Sequence, residues 1–303
     1  MTRELVIVGA GPAGVSAALW ARSLHLDVEL LEAGPEPGGQ LLWVHFHPRE
    51  IPGLLEGDGR AIAAAYARQL AESGLPVRYG VRADALEPGE EPGLLLSDRS
   101  RIAARALLIA SGARRRRLGV PGERELEGRG VSTSATRDRA ALAGRAIVVV
   151  GGGDAAFENA LLLVTAGSDV TLVARGTVRA RPEFREALAR ERRARVLEHA
   201  QVVAVLGDAR VRAVRLRDAA GERELACEGV VVKVGVEPNT EWCRDRLAHD
   251  AQGYLRVDER FATSAPGVWA AGDVVHPMLA GVPVAAGHGA LAAAAIRAAL
   301  RPA

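Results

Sequence analysis

Cysteine, lysine and long apolar runs are all scarce in this chain of 303 residues. Its two cysteines, Cys227 and Cys243, form no C-x-x-C pair, which excludes a disulfide-dense secreted scaffold and a cysteine-based metal site. We predict no metal site. Lys233 is the single lysine among 39 basic residues, so arginine supplies nearly all of the positive charge.

No stretch of about 18 or more residues is continuously apolar, so the sequence predicts no transmembrane helix. The N-terminus enters a strand pattern at once, without the basic and apolar regions of a secretory signal. A net charge of only +2 calls for neither a nucleic-acid partner nor a membrane surface. We therefore expect a cytoplasmic globular protein, long enough for about two domains.

The first 31 residues contain two strands with a glycine-rich turn and a helix between them. Leu5–Val8 and Val28–Leu31 are short apolar runs, typical of strands that are buried on both faces. Val15–Ser23 is rich in small residues and reads as the connecting helix. This order predicts a parallel strand–helix–strand unit.

The turn of this unit has the pattern G-x-G-x-x-G, formed by Gly9, Gly11, Pro12, Ala13 and Gly14. In such a turn the first glycine allows the bend, the second lets a pyrophosphate approach, and the third lets the helix pack closely. The helix N-terminus then faces that phosphate. Glu32 follows the second strand, where a carboxylate accepts hydrogen bonds from ribose hydroxyls and repels a 2′-phosphate. The alternative is a unit that needs its glycines only for packing.

The same pattern returns after another predicted strand, Ala146–Val150. A helix over Phe157–Ala166 and a strand over Val170–Val173 are predicted to follow it. The second copy, G-x-G-x-x-A, is formed by Gly151, Gly153, Asp154, Ala155 and Ala156. Two copies in one chain favour dinucleotide binding at both over a coincidence of packing.

The two copies differ in the residue that follows the second strand. The position equivalent to Glu32 is Ala174, and Arg175 comes next. Without a carboxylate a 2′-phosphate is not repelled, and arginine is a bidentate partner for it. Arg179 and Arg181 add charge nearby, so we predict NADP(H) rather than NAD(H) at this site. The alternative is that these arginines are solvated loop residues.

Other predicted elements and small-residue motifs lie between the two copies and after the second one. We predict a helix over Gly59–Ser73, and strands over Val77–Leu86, Leu94–Ser97, Leu107–Ala113, Val202–Leu206, Val211–Arg217 and Gly229–Val234. The short motifs are Gly38–Gln40, Ala110–Ala113, Gly272–Asp273 and Gly287–Gly289, the last of which opens a helix predicted over Ala290–Leu300. We take His45 and His288 as candidate catalytic residues, because an imidazole near a cofactor can carry protons. Loop packing is the alternative for His45.

These motifs, in this order, resemble those of the two-dinucleotide flavoproteins, and within them the low-molecular-weight thioredoxin reductases. The resemblance covers nearly the whole chain and implies an α/β fold with two Rossmann-like, three-layer dinucleotide-binding domains. It implies FAD at the first site and NADPH at the second. It further implies a split FAD-binding domain, residues 1–113 and 243–303, with the NADPH-binding domain, residues 114–242, inserted in it. Homodimers are usual in that family.

The motifs and the resemblance together give a set of candidate cofactor-binding residues. Those for FAD are Gly9, Gly11, Pro12, Ala13, Gly14, Glu32, Gly39, Gln40, Val81, Ala110, Ser111, Gly112, Gly272 and Asp273. Those for NADPH are Gly151, Gly153, Asp154, Ala155, Ala156, Arg175 and Arg179. The resemblance also implies that Asp273 binds the ribityl chain and that the Gly287–Gly289 turn faces the isoalloxazine.

One departure from the resemblance concerns the reaction itself. Thioredoxin reductases carry Cys-Ala-Thr-Cys-Asp before the second glycine motif, whereas this chain has Ser134-Ala135-Thr136-Arg137-Asp138. Disulfide exchange needs a thiolate and a resolving thiol, which serine and arginine cannot supply. We therefore expect no thioredoxin-disulfide reductase activity.

Three functions remain open. The first is an NADPH oxidoreductase that passes electrons through FAD to a separate acceptor, as ferredoxin– and flavodoxin–NADP reductases do. Arg114–Arg117 and Arg137 would then steer an acidic ferredoxin or flavodoxin, although a solvated face explains the four-arginine run equally well. The second is a specialised FAD oxidase or small-molecule oxidoreductase with a histidine as proton carrier. The third is a non-catalytic flavin- or nucleotide-binding sensor.

Overall fold

The computed structural model describes residues 3–54, 56–276 and 278–301. The chain forms two compact units, a first unit of residues 1–114 with 237–303 and a second unit of residues 115–236. The return to the first unit lies at Glu237, six positions before the expected boundary at 243. Asn239 explains the difference, because its backbone N–H donates to the Gly112 carbonyl and its Nδ2 donates to the Ser111 carbonyl.

Strand–helix–strand units at the start of each compact unit are followed by longer runs of strands. The strands are β1 (Arg3–Val8), β2 (Val28–Leu31), β3 (Val77–Arg78), β4 (Ala83–Glu87), β5 (Gly93–Leu96), β6 (Arg101–Ile109), β7 (Ala113–Arg115), β8 (Val131–Ser132), β9 (Ala146–Val150), β10 (Asp169–Val173), β11 (Ala194–Leu197), β12 (Gln201–Gly207), β13 (Val211–Asp218), β14 (Gly221–Ala226), β15 (Gly229–Val232), β16 (Val236–Pro238) and β17 (Val268–Ala270). The helices are α1 (Pro12–Ser23), α2 (Gly59–Ser73), α3 (Arg139–Leu142), α4 (Asp154–Thr165), α5 (Pro182–Ala189) and α6 (Val282–Leu300), with short 3-10 helices at Gly39–Trp43 and Asp273–Val275.

The first unit is layered around its central parallel strands. The sheet runs β3-β2-β1-β6-β5-β4, with β17 also paired to β6, and β4 and β5 are antiparallel. Side chains of β1 alternate between two cores, as a strand buried on both faces requires. Leu5 and Ile7 pack in the core formed with α1 and α6, whereas Val6 and Val8 pack in the core that contains β4, β5 and Leu247.

The second unit repeats this layering. Its parallel sheet runs β11-β10-β9-β15-β8, and an antiparallel sheet, β12-β13-β14, covers one face. Ile147 and Val149 of β9 pack in the core with α4, whereas Val148 and Val150 pack in the core with β13. The α/β class and the two three-layer Rossmann-like units agree with the sequence prediction.

Helix α6 begins eight residues earlier than the sequence predicted. Gly287, His288 and Gly289 lie within the helix instead of opening it. Gly289 is useful at this point of the helix because it allows a close contact with α1. A Cβ on Gly289 would lie 2.0 Å from the Ala13 carbonyl oxygen. Among the described residues, α6 is also the one helix long and apolar enough to cross a membrane, although the sequence predicted none. Buried helices of globular proteins meet the same test, and the face of α6 with Ala292 and Ile296 is buried in the first unit's core.

Several other stretches differ from the predicted elements. The strand predicted over Val77–Leu86 is divided into β3 and β4, because Gly80 has a φ of +71° and interrupts the ladder. Helix α5 and strands β11 and β14 were missed, because their segments are polar and largely exposed and lack a clear apolar period. Helix α2 has the bounds that the sequence predicted.

Gly289→Ala and Gly287→Ala form a matched pair that tests the contact between α1 and α6. The first places a methyl group against backbone and should lower the free energy of unfolding by about 1–3 kcal/mol. The Cβ added by Gly287→Ala has no heavy atom within 4 Å, so this substitution should raise the free energy of unfolding by about 0.5–1 kcal/mol. Urea unfolding at equal cofactor content measures both. Equal effects of the two substitutions would contradict the packing described here.

Candidate functional site

The first glycine turn is formed by backbone groups in close contact. The Gly9 N–H donates to the Leu31 carbonyl over 2.8 Å, and Gly9 has a φ of +102°. A Cβ on Gly9 would lie 2.4 Å from the Ala110 carbonyl oxygen, and one on Gly14 would lie 1.8 Å from the Gly9 carbonyl oxygen. Gly11 has no heavy atom within 4 Å of that position. Gly9 and Gly14 therefore serve packing, while Gly11 leaves space beside the N-terminus of α1.

Glu32 is held in place at the end of β2. Its Oε2 accepts a hydrogen bond from the Ala10 N–H and its Oε1 from the Gly34 N–H, each over 2.7 Å. Val81 donates its N–H to the Glu32 carbonyl over 3.0 Å, which places this residue at the same edge. Each carboxylate oxygen keeps a lone pair for a further donor, so the half-buried side chain suits a pair of ribose hydroxyls.

Tyr79 is a residue of this edge that the sequence analysis missed. Burial raises the pKa of its phenol, and the negative charge of Glu32 raises it further. Its ring is 39 % exposed beside the Glu32 carboxylate, in the short link between β3 and β4. No sequence pattern marks it, because a lone tyrosine before a glycine is common in turns.

The Gly38–Gln40 turn and the Gly272–Asp273 turn both lie against the first glycine turn. The Gly38 N–H donates to the Ala10 carbonyl over 2.8 Å, and a Cβ on Gly272 would lie 2.7 Å from the Ala13 Cβ. Gln40 Nε2 donates to Asp273 Oδ2 over 2.7 Å. Burial raises the pKa of Asp273, and the Gln40 amide opposes this rise. A desolvated carboxylate of this kind favours hydroxyl donors as partners.

The residues after β6 form hydrogen bonds that hold this edge of the sheet together. The Ser111 hydroxyl donates to the Asn239 carbonyl over 2.9 Å, and Gly112 has a φ of +65°. Ala110 is buried and donates its N–H to the Val8 carbonyl. The structure thus brings the predicted FAD residues to one edge of the sheet, with Ser111 facing Asn239.

The two candidate catalytic histidines each have a buried nitrogen without a protein hydrogen-bond partner among the described residues. These atoms are His288 Nδ1 and His45 Nε2. The His288 ring lies 5.0 Å from the Phe261 ring, and burial lowers its pKa while the charge of Asp273 opposes this. His288 is therefore a neutral imidazole at neutral pH, able to donate or accept at Nδ1.

The second glycine turn repeats the backbone geometry of the first. Gly151 has a φ of +145°, and its N–H donates to the Val173 carbonyl over 2.9 Å. A Cβ on Gly151 would lie 2.1 Å from the Lys233 carbonyl oxygen, whereas Gly153 has open space before α4. Ala156 is buried in the core, and Ala155 is exposed at the helix start.

The loop after β10 contains arginines with and without a partner in the described part of the chain. Arg175 and Arg179 are exposed, and in the described part of the chain their side chains form no hydrogen bond or ion pair. The Arg179 N–H donates to the Gly152 carbonyl over 2.7 Å, which fixes the loop against the turn. Arg181 differs from the prediction, because its Nε pairs with Asp154 Oδ2 at 2.8 Å and its charge is neutralised. Asp154 also accepts a hydrogen bond from the Arg181 N–H, so its carboxylate holds the loop in place.

The two cysteines are unsuited to redox chemistry. Cys227 and Cys243 are both buried and free, and burial raises the pKa of each thiol to about 12. In the segment that resembles the dithiol motif, the Ser134 hydroxyl accepts the Arg137 N–H, and Arg137 pairs with Asp138.

The arginines of the four-arginine run, Arg114–Arg117, have partners within the chain, which differs from the free surface that steering of an acidic partner would use. Arg114 pairs with Glu237 and Glu241, and Arg117 pairs with Glu127. The two arginines between them donate to backbone carbonyls nearby. For residues 3–54, 56–276 and 278–301, no group of three or more histidine, cysteine, aspartate or glutamate residues could hold a metal ion.

Asp273→Asn tests the desolvated carboxylate in the protein without cofactor. The pKa of Asp273 is higher in the folded protein than in the unfolded chain, where it is about 3.9. The protein therefore keeps its full stability below a pH of about 3.9, where the carboxyl is protonated in both states. It loses stability as the pH rises through the pKa of the folded state, because the buried carboxyl must then ionise. The asparagine variant avoids this loss, so its apoprotein should be more stable than the parent at pH 7 and about equal at acid pH.

Asp250→Asn is the control with the opposite sign. Burial raises the pKa of Asp250, but hydrogen bonds from the Tyr254 N–H and His276 outweigh this and lower it. Removing that charge should destabilise the apoprotein at pH 7. Thermal unfolding between pH 4 and 8 measures both variants, and the same sign for both would refute this account.

Comparison with known proteins connects the two sites to a family. The family model for pyridine nucleotide-disulphide oxidoreductases matches residues 3–297. Thioredoxin reductase from Mycolicibacterium smegmatis is 36% identical over 302 residues, covering 95% of this chain and 94% of the relative.

Solved structures give the same result for the fold. Thioredoxin reductase from Lactococcus lactis superposes with a TM-score of 0.85 at 29% identity, covering 99% of both chains. Bacillithiol disulfide reductase from Bacillus cereus, at 20% identity and a TM-score of 0.78, shares the fold over 99% of this chain and 100% of its own. The chain is an oxidoreductase that belongs to the pyridine nucleotide-disulphide oxidoreductase family.

Proposed function

We propose that this chain is an FAD-dependent NADPH oxidoreductase that passes electrons to an acceptor outside the chain, without a redox disulfide of its own. The observation that carries the proposal is the charge contrast between two similar glycine turns. Glu32 is fixed at the first turn, whereas Arg175 and Arg179 are free at the second. This contrast supports a dinucleotide without a 2′-phosphate at the first site and one with it at the second.

The residues of the first site fit FAD. Glu32 would accept hydrogen bonds from the ribose hydroxyls, and Asp273 would accept them from the ribityl chain. The open space at Gly11 and the N-terminal N–H groups of α1 suit the pyrophosphate. Bound FAD supplies the two-electron redox chemistry, which no side chain of this protein can provide. His288 would hold or move a proton at Nδ1, the buried nitrogen without a protein partner.

The residues of the second site fit NADPH. The N-terminus of α4 and the open space at Gly153 suit its pyrophosphate. Arg175 and Arg179 would pair with the 2′-phosphate, because both guanidinium groups keep all of their donors available. Asp154 would position the loop through its ion pair with Arg181, so that only Arg175 and Arg179 would contact the phosphate.

The acceptor is proposed to differ from that of the thioredoxin reductases. Ser134 and Arg137 cannot exchange disulfides, and both cysteine thiols are buried with a pKa of about 12. Pairing of Arg114 and Arg117 within the chain weakens the support for an acidic ferredoxin or flavodoxin as partner. We therefore propose a small-molecule acceptor. A homodimer is proposed from the family resemblance, and a cytoplasmic location from the sequence pattern.

Arg175→Ala tests the assignment of the second site. Losing a charge-assisted pair of about 1.5–3 kcal/mol should weaken NADPH binding about 10- to 100-fold and leave NADH binding nearly unchanged. Arg190→Ala, an exposed arginine that pairs with Glu186 in the same unit, is the matched control and should change neither. Fluorescence titration measures both affinities, and equal losses for the two nucleotides would refute the phosphate assignment.

Reoxidation kinetics test the type of acceptor. After anaerobic reduction with NADPH, we expect slow reaction with oxygen and at least tenfold faster reoxidation by an added quinone. Stopped-flow absorbance of the flavin band measures both rates. Rapid oxygen consumption with peroxide formation would favour an oxidase instead, and a flavin that NADPH never bleaches would favour the sensor.

A further inference from the structure

A small cleft opens in the second unit, at the edge of the parallel sheet where its strands begin. Its volume is about 230 Å³, and its walls include the first three residues of β9 and of β10, together with Ala194 of β11 and Cys227. The second glycine turn follows the last residue of β9 and therefore lies at the opposite edge. Five residues of strand, about 16 Å, separate Ala146 in the cleft from Gly151. A ligand in this cleft would be separate from a nucleotide at the glycine turn.

Strand register explains how polar side chains come to line the cleft. Thr171 of β10 pairs with Val148 of β9 and with Arg195 of β11, so the three side chains point to the same face of the sheet. Val148 packs in the core that also contains Cys227 and Val214 of β13. The cleft is therefore the end of the layer between the parallel sheet and the antiparallel sheet β12-β13-β14. Here threonine and arginine take the place of apolar core residues.

The Thr171 hydroxyl is a buried donor at the wall of this cleft. The residue is only 8 % exposed, and its Oγ1 accepts a hydrogen bond from Arg195 Nε over 2.8 Å. A hydroxyl has one hydrogen to donate besides its two lone pairs. Within the described residues, the Thr171 hydroxyl donates to no acceptor. A buried donor without an acceptor costs free energy, which an acceptor bound in the cleft would recover.

Positive charge exceeds negative charge among the side chains that line the cleft. They include one aspartate and three arginines, namely Asp169, Arg192, Arg193 and Arg195. The Arg193 Nη1 lies 3.7 Å from Asp169 Oδ1, so these two charges largely compensate each other. Arg195 has the neutral Thr171 hydroxyl as its partner. Arg192 is exposed and forms no hydrogen bond or ion pair in the part of the chain that the structure describes. Two guanidinium charges at the cleft thus have no acidic partner there.

The neighbouring titratable groups do not offset this surplus. Glu228, which follows Cys227, lies 3.8 Å from Arg145 and accepts a hydrogen bond from the Ala146 N–H over 3.2 Å. Burial raises the pKa of the Cys227 thiol to about 12, so the thiol is neutral at physiological pH. The cleft therefore favours an anionic ligand.

We propose that this cleft binds a small oxyanion through the guanidinium groups of Arg192 and Arg195 and the hydroxyl of Thr171. Guanidinium groups bind the oxygens of phosphate and carboxylate groups in pairs, and the hydroxyl supplies a further donor. Pockets for drug-sized ligands measure about 300–1,000 Å³, so this smaller cleft suits phosphate or a short dicarboxylate and excludes a dinucleotide. The site goes beyond the proposed redox function and does not depend on it.

Equilibrium dialysis tests the proposal with the purified protein and its bound cofactor. Radiolabelled phosphate and radiolabelled succinate are the two probes, each used alone, with sodium chloride holding the ionic strength constant. The two arms distinguish a phosphate from a carboxylate as the preferred group. We expect saturable binding of at least one probe, with a dissociation constant of about 1 mM or lower. Binding requires no turnover, so its failure and that of the proposed redox function are distinguishable.

Substitutions in the cleft assign the bound probe to its residues. Arg195→Met should weaken binding at least about tenfold, because a charge-assisted pair is lost. Thr171→Val keeps every charge and should still weaken binding about three- to tenfold, because the buried donor is lost. Arg192→Met removes a charge without breaking a described contact, so it tests the site even if Arg195→Met fails to fold. Arg210→Met, an exposed arginine of the same unit outside the cleft, is the matched control and should change nothing.

Three results would overturn the proposal. The first is no saturable binding of either probe below about 10 mM. The second is binding that Arg195→Met, Arg192→Met and Thr171→Val all leave unchanged. The third is binding that Arg175→Ala abolishes while the cleft variants retain it, which would place the anion at the nucleotide loop instead.

Discussion

Close contact between backbone groups at the two glycine turns is the constraint on which both units depend. Gly9 lies against the Ala110 carbonyl and Gly151 against the Lys233 carbonyl, each at a distance that excludes any side chain. These contacts bring the ends of neighbouring strands together and let α1 and α4 start directly above the sheet. The N-terminal N–H groups of both helices are thereby directed to the carboxyl edge, where an anionic ligand is stabilised.

On this common frame the two units differ in charge. In the first unit the carboxylates of Glu32 and Asp273 are fixed by hydrogen bonds and face the space beside the turn. In the second unit Ala174 takes the place of Glu32, the exposed Arg175 follows it, and Lys233 lies beside the turn. The two turns thus share a backbone geometry, and the charged side chains around them are of opposite sign.

The sequence predicted the frame well because the frame depends on local patterns. Alternating cores, glycine spacing and helix α2 follow from short runs of residues that can be recognised one by one. The start of α6 could not be predicted, because Gly289 is explained by a contact with Ala13, which is distant in sequence. The pairing of Arg181 with Asp154 has the same cause, because the two residues are also distant in sequence. Such contacts depend on strand order and register, which no local pattern determines.

We propose that electrons leave this protein from the flavin, with no disulfide of its own between flavin and acceptor. Anaerobic reductive titration of the flavin-loaded protein with dithionite tests it most directly, because it counts the electrons that each chain accepts. We expect complete reduction with two electrons per chain and no increase in titratable thiols. Uptake of four electrons, with two new thiols, would reveal a redox disulfide and contradict the claim.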